Sequence, residues 1–129
     1  MFDVVDWGLP PNKGPVTNAV KAADKVFTVQ IPRDPETGEV RTEGGIEAQT
    51  RQCLSNLQKV MKAAGGSMAD VTQVLIYLID SADAPGMNAV YQEFFAAPYP
   101  NRATVVVKEL LSPGMRIEMV VHAHVGPAH

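Results

Sequence analysis

Cysteine is almost absent. The single thiol, Cys53, in 129 residues allows no disulfide within the chain, and a reducing cytoplasm is the expected compartment. An excess of positive charge is missing too. Eleven Lys and Arg against 14 Asp and Glu give a net charge of −3, which offers neither a nucleic-acid backbone nor an anionic membrane anything to bind. Neither is expected as a partner. No apolar run approaches the ~20 residues of a membrane span. The opening stretch MFDVVDWG carries acids where a secretory signal has a basic segment followed by an apolar one, so no leader is expected. What remains is 46% apolar and 19% charged, an ordinary globular balance that argues against disorder. One domain over residues 1–129, with a two-layer core, suits the length.

Ten prolines and ten glycines punctuate the chain. Residues 1 to 18 read as loop with a short strand before it. AVKAADKVFTVQIP reads as two short strands around Ala23-Asp24-Lys25, ending at Pro32, and RDPETGEV as a turn built on Pro35 and Gly38. The clearest helix is EGGIEAQTRQCLSNLQKVMKAAGG. Its Ile46, Thr50, Cys53, Leu57, Val60 and Ala64 fall at helical spacing, Leu54 and Met61 widen the stripe, and Gly65-Gly66 stops it. DVTQVLIYLID follows as a strand that is apolar on both faces of its second half, hence central in a sheet or facing another subunit. A second helix, PGMNAVYQEFFAA, has N-cap candidates from Asp80 to Asp83 and is terminated by Pro98 and Pro100. Ala103 to Val107 and Arg116 to Val125 read as two final strands joined through Pro113-Gly114.

The last strand has two unlike faces. Ile117, Met119, Val121, Ala123 and Val125 share one, a core face for the helices to cover. Arg116, Glu118, Val120, His122 and His124 share the other, a mixture suited to a partner or a pocket wall. In the preceding strand Arg102, Thr104 and Val106 share a face. If the two strands are neighbours, Arg102 and Glu118 reach one cleft. Arg102 opens the run RATVVV, and a guanidinium beside a packed sheet needs an anionic or hydrogen-bonding partner. That partner is either a structural carboxylate or a ligand. His122 and His124 have a spacing that can chelate zinc, yet the only further histidine is His129, so no metal site is expected. Cys53 reads as a small core residue. Tyr91, Phe94 and Phe95 read as core or cleft wall.

In order along the chain, QIPRDPETGEV, GGIEAQTRQCLSNLQKVMKAAGGSMADV, MNAVYQEFF, YPNRATVVV and SPGMRIEMVVHA resemble the Rid (YjgF) family of reactive-intermediate imine and enamine deaminases. The resemblance covers about 110 residues. It implies an α+β, chorismate-mutase-like fold, a mixed β-sheet with two helices packed on one face. It also implies a homotrimer whose sheets form a barrel with clefts between subunits, and a reaction without cofactor. On that resemblance Arg102 is the residue that holds the substrate carboxylate, and Glu118 the one that positions water. Thr104, Val16, Thr28 and Asn88 are the other residues implied to contact substrate. The chain departs from the family pattern where many members have Tyr (here Val16), Ser-Gly (Thr28-Val29), Cys (Thr104) and a second Glu (Val120). The carboxylate clamp is kept and the wall is more apolar.

The implied chemistry is hydrolysis of small imine or enamine carboxylates, 2-imino acids or aminoacrylate- and aminomuconate-like enamines, with release of ammonia. A non-catalytic trimer that binds small carboxylates as a sensor or adaptor is the alternative. RNA cleavage, attributed to some relatives, is disfavoured by the acidic balance.

Overall fold

The structure, a computed structural model, describes residues 1–126; His129 lies outside the described residues. Strand β3 (Lys25–Gln30) shows how the sheet is patterned. Val26, Thr28 and Gln30 are buried while Lys25, Phe27 and Val29 are exposed, the period-two alternation of a sheet covered on one side. A two-residue turn, with Ala23 at φ 54°, joins β3 to β2 (Ala19–Ala22), and β2 pairs in turn with the short β1 (Asp3–Val4). Helix α1 (Gly45–Ala63) buries Cys53, Leu54, Leu57, Val60 and Met61 along the stripe read from the sequence. It ends where Gly65 turns to φ 90° and the Gly66 N–H donates to the Met61 carbonyl at 2.8 Å, a left-handed glycine stop.

Strand β4 (Val71–Leu78), helix α2 (Ala84–Phe94), β5 (Asn101–Val106) and β6 (Ile117–His124) complete the chain. Helix α2 stops at Phe94, before the prolines, because Phe95 is already extended. Its N-cap residue Asp83 makes no cap hydrogen bond. The strand order is β1-β2-β3-β6-β4-β5. Every adjacent pair is antiparallel except β4 and β5, which run parallel with α2 as their crossover. The fold is α+β, a mixed sheet with both helices on one face, where Val74, Ile76, Leu78, Ile117, Met119 and Val121 pack under α1 and α2.

The last two strands are therefore not neighbours. β4 lies between them, so the turn through Pro113-Gly114 closes a longer crossover rather than a hairpin. Gly114 adopts φ 81° there, and the buried Gln49 of α1 pins the segment by accepting from the Arg116 N–H at 2.7 Å and donating to the Gly114 carbonyl at 3.0 Å. The other face of the sheet has no helix. By register it carries Val4, Val20 and Phe27 in one row and Val29, Val120, Leu75 and Ala103 in the next. Tyr77, Glu118 and Val105 form a third row.

Candidate functional site

Strand β5 is the edge of the sheet, and pairing of Val74 with Arg102 turns the arginine toward the helix side. There α2 meets it. The Arg102 guanidinium carbon lies 4.7 Å from the centre of the Tyr91 ring, a cation–π distance, and Nη1 is 3.9 Å from the Met87 sulfur. Among the described residues no carboxylate pairs with Arg102; the ion pairs are Arg41–Glu43, Arg51–Glu93, Arg116–Asp83 and His124–Asp24. A structural carboxylate, one of the two partners considered for it, is not found among the described residues. Arg102 instead lines a cavity of about 380 Å³ with Asn88, Tyr91, Gln92 and Tyr99. Tyr91 is buried to 4% exposure, stacks on Phe95 at 4.5 Å, and leaves its hydroxyl without a partner. Burial raises its pKa, and Arg102 opposes that shift. It serves as core and as cleft wall at once.

Glu118 stands elsewhere. It pairs with Tyr77, on the face away from the helices, one position past the last β3–β6 pair of Gln30 with Met119. Arg102 and Glu118 thus lie on opposite faces with β4 between their strands. The expectation that they reach one cleft through neighbouring strands is corrected: a single chain does not bring them together. The Glu118 carboxyl is half-buried and has no hydrogen-bond partner among the described residues. Desolvation raises its pKa.

The remaining residues divide between these two regions. Asn88 and the exposed Thr104 accompany Arg102 on the α2–β5 side. Val16 and Val29, 65% and 40% exposed, line a separate cavity of about 400 Å³ beside the N-terminal loop, and Val120 adjoins Val29 on the Glu118 face. Thr28 faces the helices at 3% exposure, and its hydroxyl donates to the Asn18 carbonyl and accepts from Gln30 Nε2, each at 2.9 Å. His122 and His124 share a strand face, but one approaches Gln73 at 3.1 Å and the other Asp24 at 2.8 Å. Cys53 is fully buried, and burial pushes its thiol pKa up strongly. Gln92, Tyr99, Arg33 and the Arg116–Asp83 fork, at 2.8 and 3.0 Å, were not visible as site or scaffold residues from spacing alone.

A family profile described as Endoribonuclease L-PSP matches residues 10–125. The chain belongs to this family, the Rid (YjgF/RutC) proteins. A relative named 3-aminoacrylate deaminase RutC, from Acinetobacter baylyi, is 39% identical over 122 residues, 95% of this chain and 96% of its own. One from Dermatophagoides farinae, named 2-iminobutanoate/2-iminopropanoate deaminase, is 37% identical over 102 residues, 78% of this chain and 79% of its own. The crystal structure of RidA from an Antarctic Psychrobacter superposes with a TM-score of 0.84 at 33% identity, covering 95% of this chain and 98% of that one. The Rid fold seen there is the mixed sheet and helix pair described above.

Proposed function

We propose that this Rid protein, acting as one domain over residues 1–129, is a cofactor-independent hydrolytic deaminase of small imine or enamine carboxylates. The observation that carries the reading is Arg102, a cavity-lining guanidinium held over Tyr91 with no carboxylate partner among the described residues. A planar fork of this kind takes a substrate carboxylate bidentately. Water then adds to the C=N carbon, the C–N bond breaks, and ammonia leaves a 2-oxo acid from a 2-imino acid, or a 3-oxo acid where the nitrogen is on C3 as in 3-aminoacrylate. Enamines reach the same step after protonation at carbon.

Glu118 orients the water and relays protons to the departing nitrogen; desolvation raises its pKa, which favours the protonated form that can donate. Because Arg102 and Glu118 diverge within one chain, the cleft is formed between copies, Arg102, Thr104 and Asn88 from one and Glu118, Val16 and Val29 from the next. The unhelixed face of the sheet, with Phe27, Val29 and Val105 exposed, supports a homotrimer packed face to face. Among the described residues no helix is long and apolar enough to cross a membrane. With the net charge of −3, this supports a cytoplasmic small-molecule enzyme rather than one acting on nucleic acid or at a membrane.

A non-catalytic carboxylate binder is the second reading, favoured by the commitment of the Thr28 hydroxyl within the chain. Ammonia release decides between them. 2-Iminopropanoate, 2-iminobutanoate and 3-aminoacrylate, each generated in the assay, should lose ammonia faster with wild-type protein than without it. No acceleration with any of them, alongside retained binding of 2-oxo acids, would leave the binder.

A further inference from the structure

The cavity lined by Val16 and Val29 contains a second arginine, Arg33. Its main chain is fixed from two sides, by a bridge to Val40 and by Asn56 Nδ2 donating to its carbonyl at 2.8 Å. The side chain is less well provided for. Nη1 donates to the neutral Asn12 Oδ1 at 3.2 Å, and Nε is sealed from solvent with no acceptor. Among the described residues no carboxylate pairs with it. Trp7, Val16, Val29 and Ile31 make the adjoining walls apolar.

A guanidinium cannot shed its charge at ordinary pH. Set beside apolar walls with one N–H orphaned, it is costly unless an anion shares the space. The volume of about 400 Å³ lies within the range of small-molecule sites.

We infer that this cavity receives a second acidic group of the substrate. Arg33 is its counter-ion, and the aliphatic wall of Val16, Val29 and Ile31 takes a short apolar spacer. The preferred substrates are then imines or enamines of dicarboxylic acids rather than of simple monocarboxylic ones. This rests on the proposed function in one respect, that Val16 and Val29 border the substrate cleft. The plainer role for Arg33 is a strut that ties the N-terminal loop to the segment after β3 through Asn12.

The experiment compares a mono- and a dicarboxylate, 2-oxobutanoate and 2-oxoglutarate, by calorimetric titration of the full-length protein, and reads the ratio of their affinities. A charge-assisted contact predicts that 2-oxoglutarate binds roughly tenfold or more tightly. Arg33→Gln should bring the ratio close to one, and Arg33→Lys should restore part of it. Arg102→Ala should weaken both acids. Equal affinities in the wild type, or a ratio that survives Arg33→Gln, would overturn the inference. So would an Arg33→Gln protein that melts lower and loses both acids in proportion, the signature of a strut. Absence of ammonia release from every imine, with the Arg33-dependent ratio intact, removes the deaminase reading and leaves this one. Ammonia release with no such ratio does the reverse.

Discussion

Replacing Arg102 by alanine gives a loss whose size reports on the cleft. In a single chain the residue is exposed on the edge strand, with the Tyr91 ring against one side of its guanidinium and the Met87 sulfur 3.9 Å from Nη1. An ion pair formed in so open a setting is worth about 0.2–1 kcal/mol, at most a fivefold change in Kd. If a second copy covers the cavity and excludes water, removing one partner of the hydrogen-bonded charge pair costs about 2–5 kcal/mol, from roughly thirtyfold to several-thousandfold. The two ranges do not overlap. Titration with 2-oxobutanoate should therefore show a loss of at least about thirtyfold for Arg102→Ala, with turnover falling in parallel. Arg102→Lys should sit between alanine and wild type, since it keeps the charge and loses the fork. The fold gives up the contact with Tyr91, about 0.5–1 kcal/mol, and a weak one with the Met87 sulfur, so the melting temperature should move by a few degrees at most. Wild-type affinity in Arg102→Ala, together with a large drop in melting temperature, would refute the reasoning and make Arg102 a structural residue.

Glu118→Gln should abolish most turnover while leaving 2-oxo acid binding largely intact. Burial raises the Glu118 pKa in the folded state, so the stability tied to its protonated form is present below about pH 4.3, the unfolded value, and is lost as pH rises through the folded one. Glu118→Gln should then melt higher than wild type near pH 8 and equally near pH 4; an advantage independent of pH would contradict the desolvation argument. Sedimentation of the wild type should give three times the chain mass, and Phe27→Glu, on the exposed sheet face, should reduce that species to monomer; a wild-type monomer would remove the shared cleft. Asp83→Asn removes the charge that Arg116 grips at 2.8 and 3.0 Å, and should cost about 1–3 kcal/mol, a fall of several degrees in the thermal melt; an unchanged melt would mean the fork contributes nothing.

Local pattern was legible and long-range pairing was not. The alternation of Ile117, Met119, Val121 and Ala123 with Glu118, Val120 and His122 is written in side-chain chemistry and reappears as buried and half-buried positions. The α1 stripe likewise needed only helical spacing. No residue type says that β4 inserts between β5 and β6, because adjacency in a mixed sheet is decided by which pairings bury the most apolar surface together. That insertion is what separates Arg102 from Glu118. The burial of Thr28 was hidden for a related reason: its register with Val121 on β6, not its own identity, turns it inward. Arg33 looks like an ordinary surface charge in the sequence and Asp83 like one of several N-cap candidates, and only packing showed the first to have no carboxylate partner among the described residues and the second to be a tie between α2 and the start of β6.

The position of β6 also sets the order in which the sheet can be assembled. β3 and β4 both use β6 as a partner, and neither pairs with the other. In chain order the β2–β3 hairpin, both helices and the β4–β5 pair all lie before residue 117 and can form without β6. Until β6 joins them, the chain carries two half-sheets with open edges and no covalent neighbour to close them. Such edges pair readily with any other strand at hand, and closing the sheet waits on a contact of high sequence separation, which is slow to form. Damage to the final strand, or a stop codon before it, should thus yield chains that aggregate rather than stable shorter domains.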